Sequence, residues 1–196
     1  LMQALPVGGA MVAVQGDAAQ LAREVPREVE AHAAELAVAA RNAPGSWVIA
    51  GTRAAVDACA ARLAAQGLRT QALTVSHAFH SPLMAPMVEE FRRVAAGVAH
   101  AQPQLNWISC LSGRTLEWSE WGGRMEHYWC RHVRDAVDFE AGVKALAGAG
   151  VQACIEIGPH PTLIGLAQQT LGTPAATGGG PMTWHASMRR GKSDIE

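Results

Sequence analysis

Two histidines three residues apart, His77 and His80, sit in the run His77-Ala78-Phe79-His80-Ser81. The run joins an apolar stretch to a helical one. Sheet-based enzymes place reacting groups at such junctions, and an imidazole there can act as general base toward an external hydroxyl. The same two rings could instead be metal ligands, or could cap the next helix and fill a pocket. A metal needs a third and a fourth ligand. Neither the cysteines (Cys59, Cys110, Cys130, Cys154) nor a second HxxH-type pair supplies them at a recognisable spacing, so no metal site is expected. No serine of the chain lies in a GxSxG context, so the base has no recognisable nucleophile beside it.

The elements that must position these residues begin with 9–76, which read as one compact unit. Gly9–Gln15 is a short apolar strand, and Asp17 is placed to cap a helix carrying Leu21 and Val25 on one face. Pro26 should shorten or kink that helix. Strands at 35–40 and 46–50 flank the turn Asn42-Ala43-Pro44-Gly45. Thr52 caps a helix with Val56, Cys59, Ala60 and Leu63 on one face, Gly67 ends it, and 68–75 returns as a strand. The order βαββαβ is that of a ferredoxin-like split unit, and alone it says nothing of function.

Ser81-Pro82 then opens a long helix reaching about His100, with Leu83, Met87, Phe91, Val94 and Val98 as its buried stripe. Residues 105–111 read as a strand, Ser112-Gly113 as a turn, 118–127 as an irregular connection and 139–147 as a helix. The run 151–157 is apolar except for Gln152 and Glu156, the pattern of a strand covered on both faces. A further helix at 162–171 comes next, then a Gly/Thr/Pro loop at 173–181 expected to be mobile. The tail at 184–196 holds the basic pair Arg189-Arg190.

Hydrophobic residues make up 49% of the 196 and aromatics 5%, so the chain is globular with a core of small side chains. Sixteen Lys+Arg against 17 Asp+Glu leave a formal charge of −1, which removes the electrostatic case for nucleic acid or an anionic membrane as partner. No apolar run reaches the ~20 residues of a bilayer span, and no basic-apolar-small leader opens the chain. The scattered cysteines read as free thiols of a reducing compartment, and the cytoplasm is the expected location. The chain opens at Leu1 on an amphipathic stretch, as if cut from something longer.

His77-Ala78-Phe79-His80 matches the HAFH signature of malonyl-selecting acyltransferase domains of type I polyketide synthases. Five other segments resemble that family in the same order. They are Leu1-Met2-Gln3-Ala4-Leu5-Pro6 (LMQ-x-LP), Asn42-Ala43-Pro44 through Gly51 (the NxP loop and strand) and Tyr128-Trp129-Cys130-Arg131-His132-Val133-Arg134 (YW-x-R-x-x-R). Glu156-Ile157-Gly158-Pro159-His160-Pro161 (ExGPHP) and Ser187-Met188-Arg189-Arg190-Gly191 (SLRRG) complete the set. Together the six span nearly the whole chain.

The resemblance implies an α/β fold. Residues 1–8 and 77–196 would be the C-terminal portion of an α/β-hydrolase-like acyltransferase core, and 9–76 a ferredoxin-like small subdomain. It implies ping-pong transfer of a malonyl unit from malonyl-CoA to the phosphopantetheine thiol of an acyl carrier protein, through an acyl-serine in a GHSxG elbow. His80 would be the general base. In the family a backbone carbonyl orients this histidine, and the matching position is His132. A carbonyl accepting from Nδ1–H leaves Nε2 facing the nucleophile. Phe79 would set selectivity, its ring leaving no room for an α-methyl. His77, Met2 and Asn42 match substrate-binding positions, and His160 a structural one.

In the family the nucleophile lies upstream of the LMQ segment, so the chain alone is expected to be inactive. The expected partners are malonyl-CoA, an acyl carrier protein, a neighbouring ketosynthase and the missing N-terminal half of the acyltransferase. No bound cofactor, nucleic acid or membrane is expected. The alternative is an inactive truncated fragment acting as an interaction or docking piece. An RNA-binding sheet fits poorly, because Trp47 is the only aromatic between residues 9 and 76.

Overall fold

A computed structural model of the chain describes residues 1–5, 7–172 and 182–191. Pro6, the loop at 173–181 and the tail end at 192–196 lie outside the described residues.

Alternation of small apolar side chains makes β1 (Gly9–Gln15) a strand, with Ala10, Val12 and Val14 turned into the core. Asp17 accepts the Gln20 amide at 2.9 Å and caps α1 (Ala18–Glu30). Pro26 was expected to shorten or kink this helix. It lies inside, and the helix is not shortened but runs on to Glu30. The hairpin of β2 (Leu36–Ala43) and β3 (Ser46–Thr52) closes on Pro44 and Gly45 alone, so Asn42 and Ala43 belong to the strand and not to the turn. Gly45 has φ +75°, and a Cβ there would meet the Gly16 carbonyl, which makes glycine necessary. Thr52 Oγ1 caps α2 (Arg53–Ala65), and Gly67, at φ +90°, turns the chain into β4 (Arg69–Ala72). That strand is shorter than expected because Leu73 and Val75 lie more than a third exposed beyond the paired residues.

These strands form an antiparallel sheet in the order β4-β1-β3-β2. One face holds the main core, in which Val12, Val14, Leu36, Trp47 and Ile49 meet Leu21 and Val25 of α1 and Val56, Cys59 and Leu63 of α2. Each fully buried Val, Leu or Ile side chain here stabilises the fold by about 1.5–3 kcal/mol. The opposite face carries Ala39, Val48 and Ala50, and Ala78 packs onto it. The contact is close, since a Cβ on Gly9 would stand 2.7 Å from the Ala78 Cβ. Small side chains on this face therefore let the His77–Ser81 run lie flat against the sheet.

Ser81 opens a 3-10 turn (Pro82–Met84) that leads into α3 (Ala85–Ala96). Met87 and Ala95 are buried and Phe91 half-buried, one line at i, i+4 and i+8. Val94 and Val98, expected in that stripe, fall off it and are 59% and 56% exposed. The strand expected at 105–111 is reduced to β5 (Ile108–Ser109), paired with β6 (Arg114–Thr115). The stretch expected to be irregular contains one helical turn, α4 (Trp118–Trp121), and the start of α5 (Met125–Arg134), which packs against α3. Just beyond α5, β7 (Val137–Asp138) joins the main sheet parallel to β2. Asp138 then caps α6 (Phe139–Gly148), its Oδ1 accepting the Ala141 amide at 3.0 Å.

The expected covered strand is β8 (Ala153–Glu156), and it is not covered. Ile155 and Ile157 are 66% and 86% exposed, because β9 (Thr183–Ala186), parallel to it, is its one strand neighbour among the described residues. Glu156 accepts the amides of Thr162, Leu163 and Ile164 at 2.8–3.0 Å and so caps the start of α7 (Leu163–Leu171). The Leu163 amide above all holds its carboxyl below the usual carboxylate range. All four cysteines are free thiols, and among the described residues no helix is long and apolar enough to cross a membrane.

Candidate active site

His80 is set by its backbone before any side chain acts. Its φ of +55° makes it the one non-glycine residue in the left-handed region among those described. Such a conformation costs an L-residue about 1–3 kcal/mol and persists only where neighbours hold it. Ser81, fully buried, does part of the holding. Its Oγ donates to the Ala78 carbonyl at 2.6 Å and accepts the Leu83 amide at 3.2 Å, tying both ends of the loop. On the other side Leu5, Met84, Met87 and Val133 form an apolar cluster, with Phe79, Leu83 and Phe91 packed on it.

The twisted backbone aims the ring at the end of α5. His80 Nδ1 meets the Asp135 carbonyl oxygen at 3.0 Å. A carbonyl can only accept, so Nδ1 carries the proton and Nε2 keeps its lone pair. Among the described residues no hydrogen-bond partner occupies Nε2. The expected carbonyl was that of His132; the structure gives the bond to Asp135, three residues on, and the His132 carbonyl acts on the ring more weakly. The reason is the helix end. Asp135 is the C-cap residue of α5, already extended, and its carbonyl points out of the helix toward the loop, while its amide donates to the Arg131 carbonyl at 2.7 Å. Arg131 Nε also reaches the Asp135 carboxylate at 2.8 Å.

Burial pulls the His80 imidazole below its ordinary value. The Asp135 carbonyl opposes this, and the neighbouring His132 ring adds to the lowering. Burial lowers His132 as well. Both rings are therefore uncharged at neutral pH, the state a base requires. The His132 ring lies edge-on to His80 with centroids 6.5 Å apart, and packs against Tyr128 at 5.8 Å and Trp129 at 5.9 Å. Tyr128 is buried, its hydroxyl 2.7 Å from Ser109 Oγ, with Trp107, Trp121 and Trp129 edge-on around it.

The other expected site residues lie at varying distance from this pair. His77 is buried, with Nε2 donating to the Leu5 carbonyl at 3.3 Å and Nδ1 unpartnered among the described residues. Its ring stands 6.2 Å from Phe79, which is half-buried next to His80 in the chain. Met2 lies in the 3-10 turn Met2–Ala4, over a third exposed, and it is Leu5 that joins the apolar cluster. Asn42 is half-buried on β2 next to Arg41, which pairs with Asp138 across the sheet. Neither Met2 nor Asn42 takes part in the hydrogen bonds or ring contacts around His80. His160 is exposed. Sequence reasoning missed Asp135 and Ser81 as positioning groups. The opposite charges of Arg131 and Asp135 four residues apart, at a helix end, were the available sign.

The acyl transferase domain family matches residues 2–196. The chain is 45% identical over 177 residues to the mycoketide-CoA synthase of Mycobacterium tuberculosis, covering 90% of this chain and 4% of that protein. It is 47% identical over 172 residues to the phenolphthiocerol synthesis polyketide synthase Pks15/1 of Mycobacterium bovis, covering 87% of this chain and 8% of that one. Among solved structures, the acyltransferase domain from the second module of the salinomycin polyketide synthase superposes with a TM-score of 0.87 at 38% identity, over 98% of this chain and 42% of that one. The malonyl-CoA:acyl carrier protein transacylase of Xanthomonas oryzae gives 0.77 at 29% identity, over 96% and 57%. The chain thus spans a small part of each of these synthases and less than two thirds of either solved structure. With its mixed α/β fold and one histidine held by a backbone carbonyl, matched over residues 2–196 by the family and over 87–98% of its length by these relatives, the chain belongs to the acyltransferase domain family of polyketide synthases.

Proposed function

We propose that this chain supplies the base-bearing part of an acyltransferase that moves a malonyl unit from CoA to the phosphopantetheine thiol of an acyl carrier protein. The observation that carries the reading is the 3.0 Å bond from His80 Nδ1 to the Asp135 carbonyl, which leaves Nε2 as a lone-pair acceptor. The acyl group would rest on a serine outside these 196 residues. His80 Nε2 takes the proton of that serine as its oxygen attacks the thioester carbon. It returns the proton to the departing CoA sulfur when the C–S bond breaks. The second half repeats the sequence in reverse, with the carrier's thiol as the attacking group.

Phe79, half-buried beside the base, is our candidate for selectivity. Its ring takes the space an α-methyl would need, and one methyl is worth about 10–200-fold in such a pocket. His77, Met2 and Asn42 remain candidates for the acyl pocket. We read residues 9–76, with their βαββαβ order, as a ferredoxin-like small subdomain, and 1–8 with 77–196 as part of an α/β-hydrolase-like core. The four free thiols support the cytoplasm. The chain by itself would be inactive. The exposed Ile155 and Ile157 on and beside β8 favour a second reading, in which it serves as an interaction piece.

Mass spectrometry after incubation with malonyl-CoA tests the reading. The chain alone should stay unmodified. Combined with a GHSxG-bearing acyltransferase segment it should yield malonyl-serine that discharges to the carrier protein. His80→Asn, which tolerates the left-handed backbone, should slow both steps by about 10²–10⁴-fold. Transfer at an unchanged rate in that variant would remove His80 as the base.

A further inference from the structure

We propose that the side chain of His132 tunes the base, acting as a fixed neighbour that His80 must share charge with. The inference rests on the reading of His80 as base and adds a second ring to it. The resemblance assigned position 132 through its backbone carbonyl, yet the bond to Nδ1 comes from Asp135. The His132 imidazole itself stands 6.5 Å from the His80 ring and edge-on to it.

The surroundings of the two rings differ in a way that matters. His132 packs against Tyr128 and Trp129, its ring centroid 5.8 and 5.9 Å from theirs. His80 follows Phe79, which packs on the apolar cluster of Leu5, Met84, Met87 and Val133, and among the described residues His132 is the one aromatic ring against it. When the pH falls, a proton on either ring opposes protonation of the other across this short gap. The repulsion is mutual, and at His80 it adds to the lowering by burial. The base stays free to a lower pH than burial alone would allow.

Other charged groups near the pair are largely spoken for. On α5 and its cap, Arg131 is paired with Asp135, and Arg134 is exposed. His127 faces Glu126 at 3.5 Å one turn earlier. On α3, Glu89 holds Arg92 and lies 3.9 Å from Arg93. On the loop itself, His77 is engaged with the Leu5 carbonyl. Asp135's carboxylate raises His80 only weakly, so His132 is the dominant like-charge partner.

The test is a proton NMR titration of the imidazole Cε1–H resonances of the chain, which needs no acyl transfer. In the wild type, the His80 curve should be broadened, with a Hill coefficient below one, over the range in which His132 also titrates. In His132→Gln the His80 curve should become a single step with its midpoint higher by about half to one pH unit, from a unit charge at the 6.5 Å ring separation in a watery to intermediate dielectric. A wild-type curve with a Hill coefficient of one, or an unmoved midpoint in folded His132→Gln, would overturn the proposal. Should the glutamine variant not fold, the wild-type curve alone decides. In the completed acyltransferase the acid limb of kcat/KM should move by the same shift. If the titration shifts and the acid limb does not, the tuning stands and His80 is not the base.

Discussion

Replacing Ser81 with alanine deletes one oxygen, and the structure says what that oxygen holds. Ser81 is wholly buried, and its Oγ both donates to the Ala78 carbonyl and caps the 3-10 turn through the Leu83 amide. Loss of a serine cap costs about 1 kcal/mol. A buried carbonyl left without its donor adds about 1–2 kcal/mol, because no solvent reaches this site to replace it. The sum, about 2–3 kcal/mol, corresponds to a melting temperature lower by about 4–12 °C for a domain of this length. Urea denaturation read by tryptophan fluorescence measures it, with Ser112→Ala, an exposed serine, as a control expected to stay within about 0.5 kcal/mol. The effect should reach the base as well, since the loop that Ser81 ties carries His80 at its strained φ. A loss below about 0.5 kcal/mol at unchanged m-value would mean that the loop is held by something else, and the account of His80's backbone would fail with it.

Three further perturbations test other parts of the molecule. Gly51→Ala on β3 should destabilise by about 1–3 kcal/mol or prevent folding, since the added Cβ would collide with the Glu35 carbonyl; thermal melting checks this, and a neutral result would refute the strand register. The Cys59 thiol is pushed up to about 11, chiefly by burial, with Glu28 adding to it and Arg62 opposing, so iodoacetamide at pH 8 should label half-buried Cys154 well before Cys59. Equal rates by peptide mapping would contradict the packed core. The folded pKa values of His80 and His132 lie below the unfolded ones, so the unfolded chain binds protons first as the pH drops. Stability contributed by the two rings is present above about pH 6.5 and lost progressively below it; urea midpoints across that range should show a slope that flattens in the double asparagine variant.

The site was legible in sequence to the extent that short-range chemistry sets it. The HAFH run drew attention to His80 as a candidate with no fold at hand, and Ser81-Pro82 marked a helical opening that the structure confirms. The carbonyl partner was misplaced because it depends on where α5 stops, and helix ends are set by caps and tertiary contacts rather than by propensity. The helix itself was overlooked since tyrosine, tryptophan and histidine are weak helix formers, although Met125, Tyr128 and Val133 already showed a buried face. Strand β7 is two residues long, too short for any alternation, and exists because β2 offers it a free edge. The openness of β8 could not be read from its composition. An apolar run says what a strand requires around it, not what is present.

The last turn of α5 also constrains how such domains can be recombined. Each residue added to an α-helix rotates the downstream chain by about 100° and advances it by about 1.5 Å. An insertion or a mismatched splice anywhere between Met125 and Arg134 would swing the Asp135 carbonyl away from Nδ1, although every residue of the HAFH run stayed in place. A hybrid that exchanges only the loop at 77–83 keeps its aim only when the recipient helix ends at the same phase. Grafts carrying residues 77–138 as one block preserve base, cap and edge strand together.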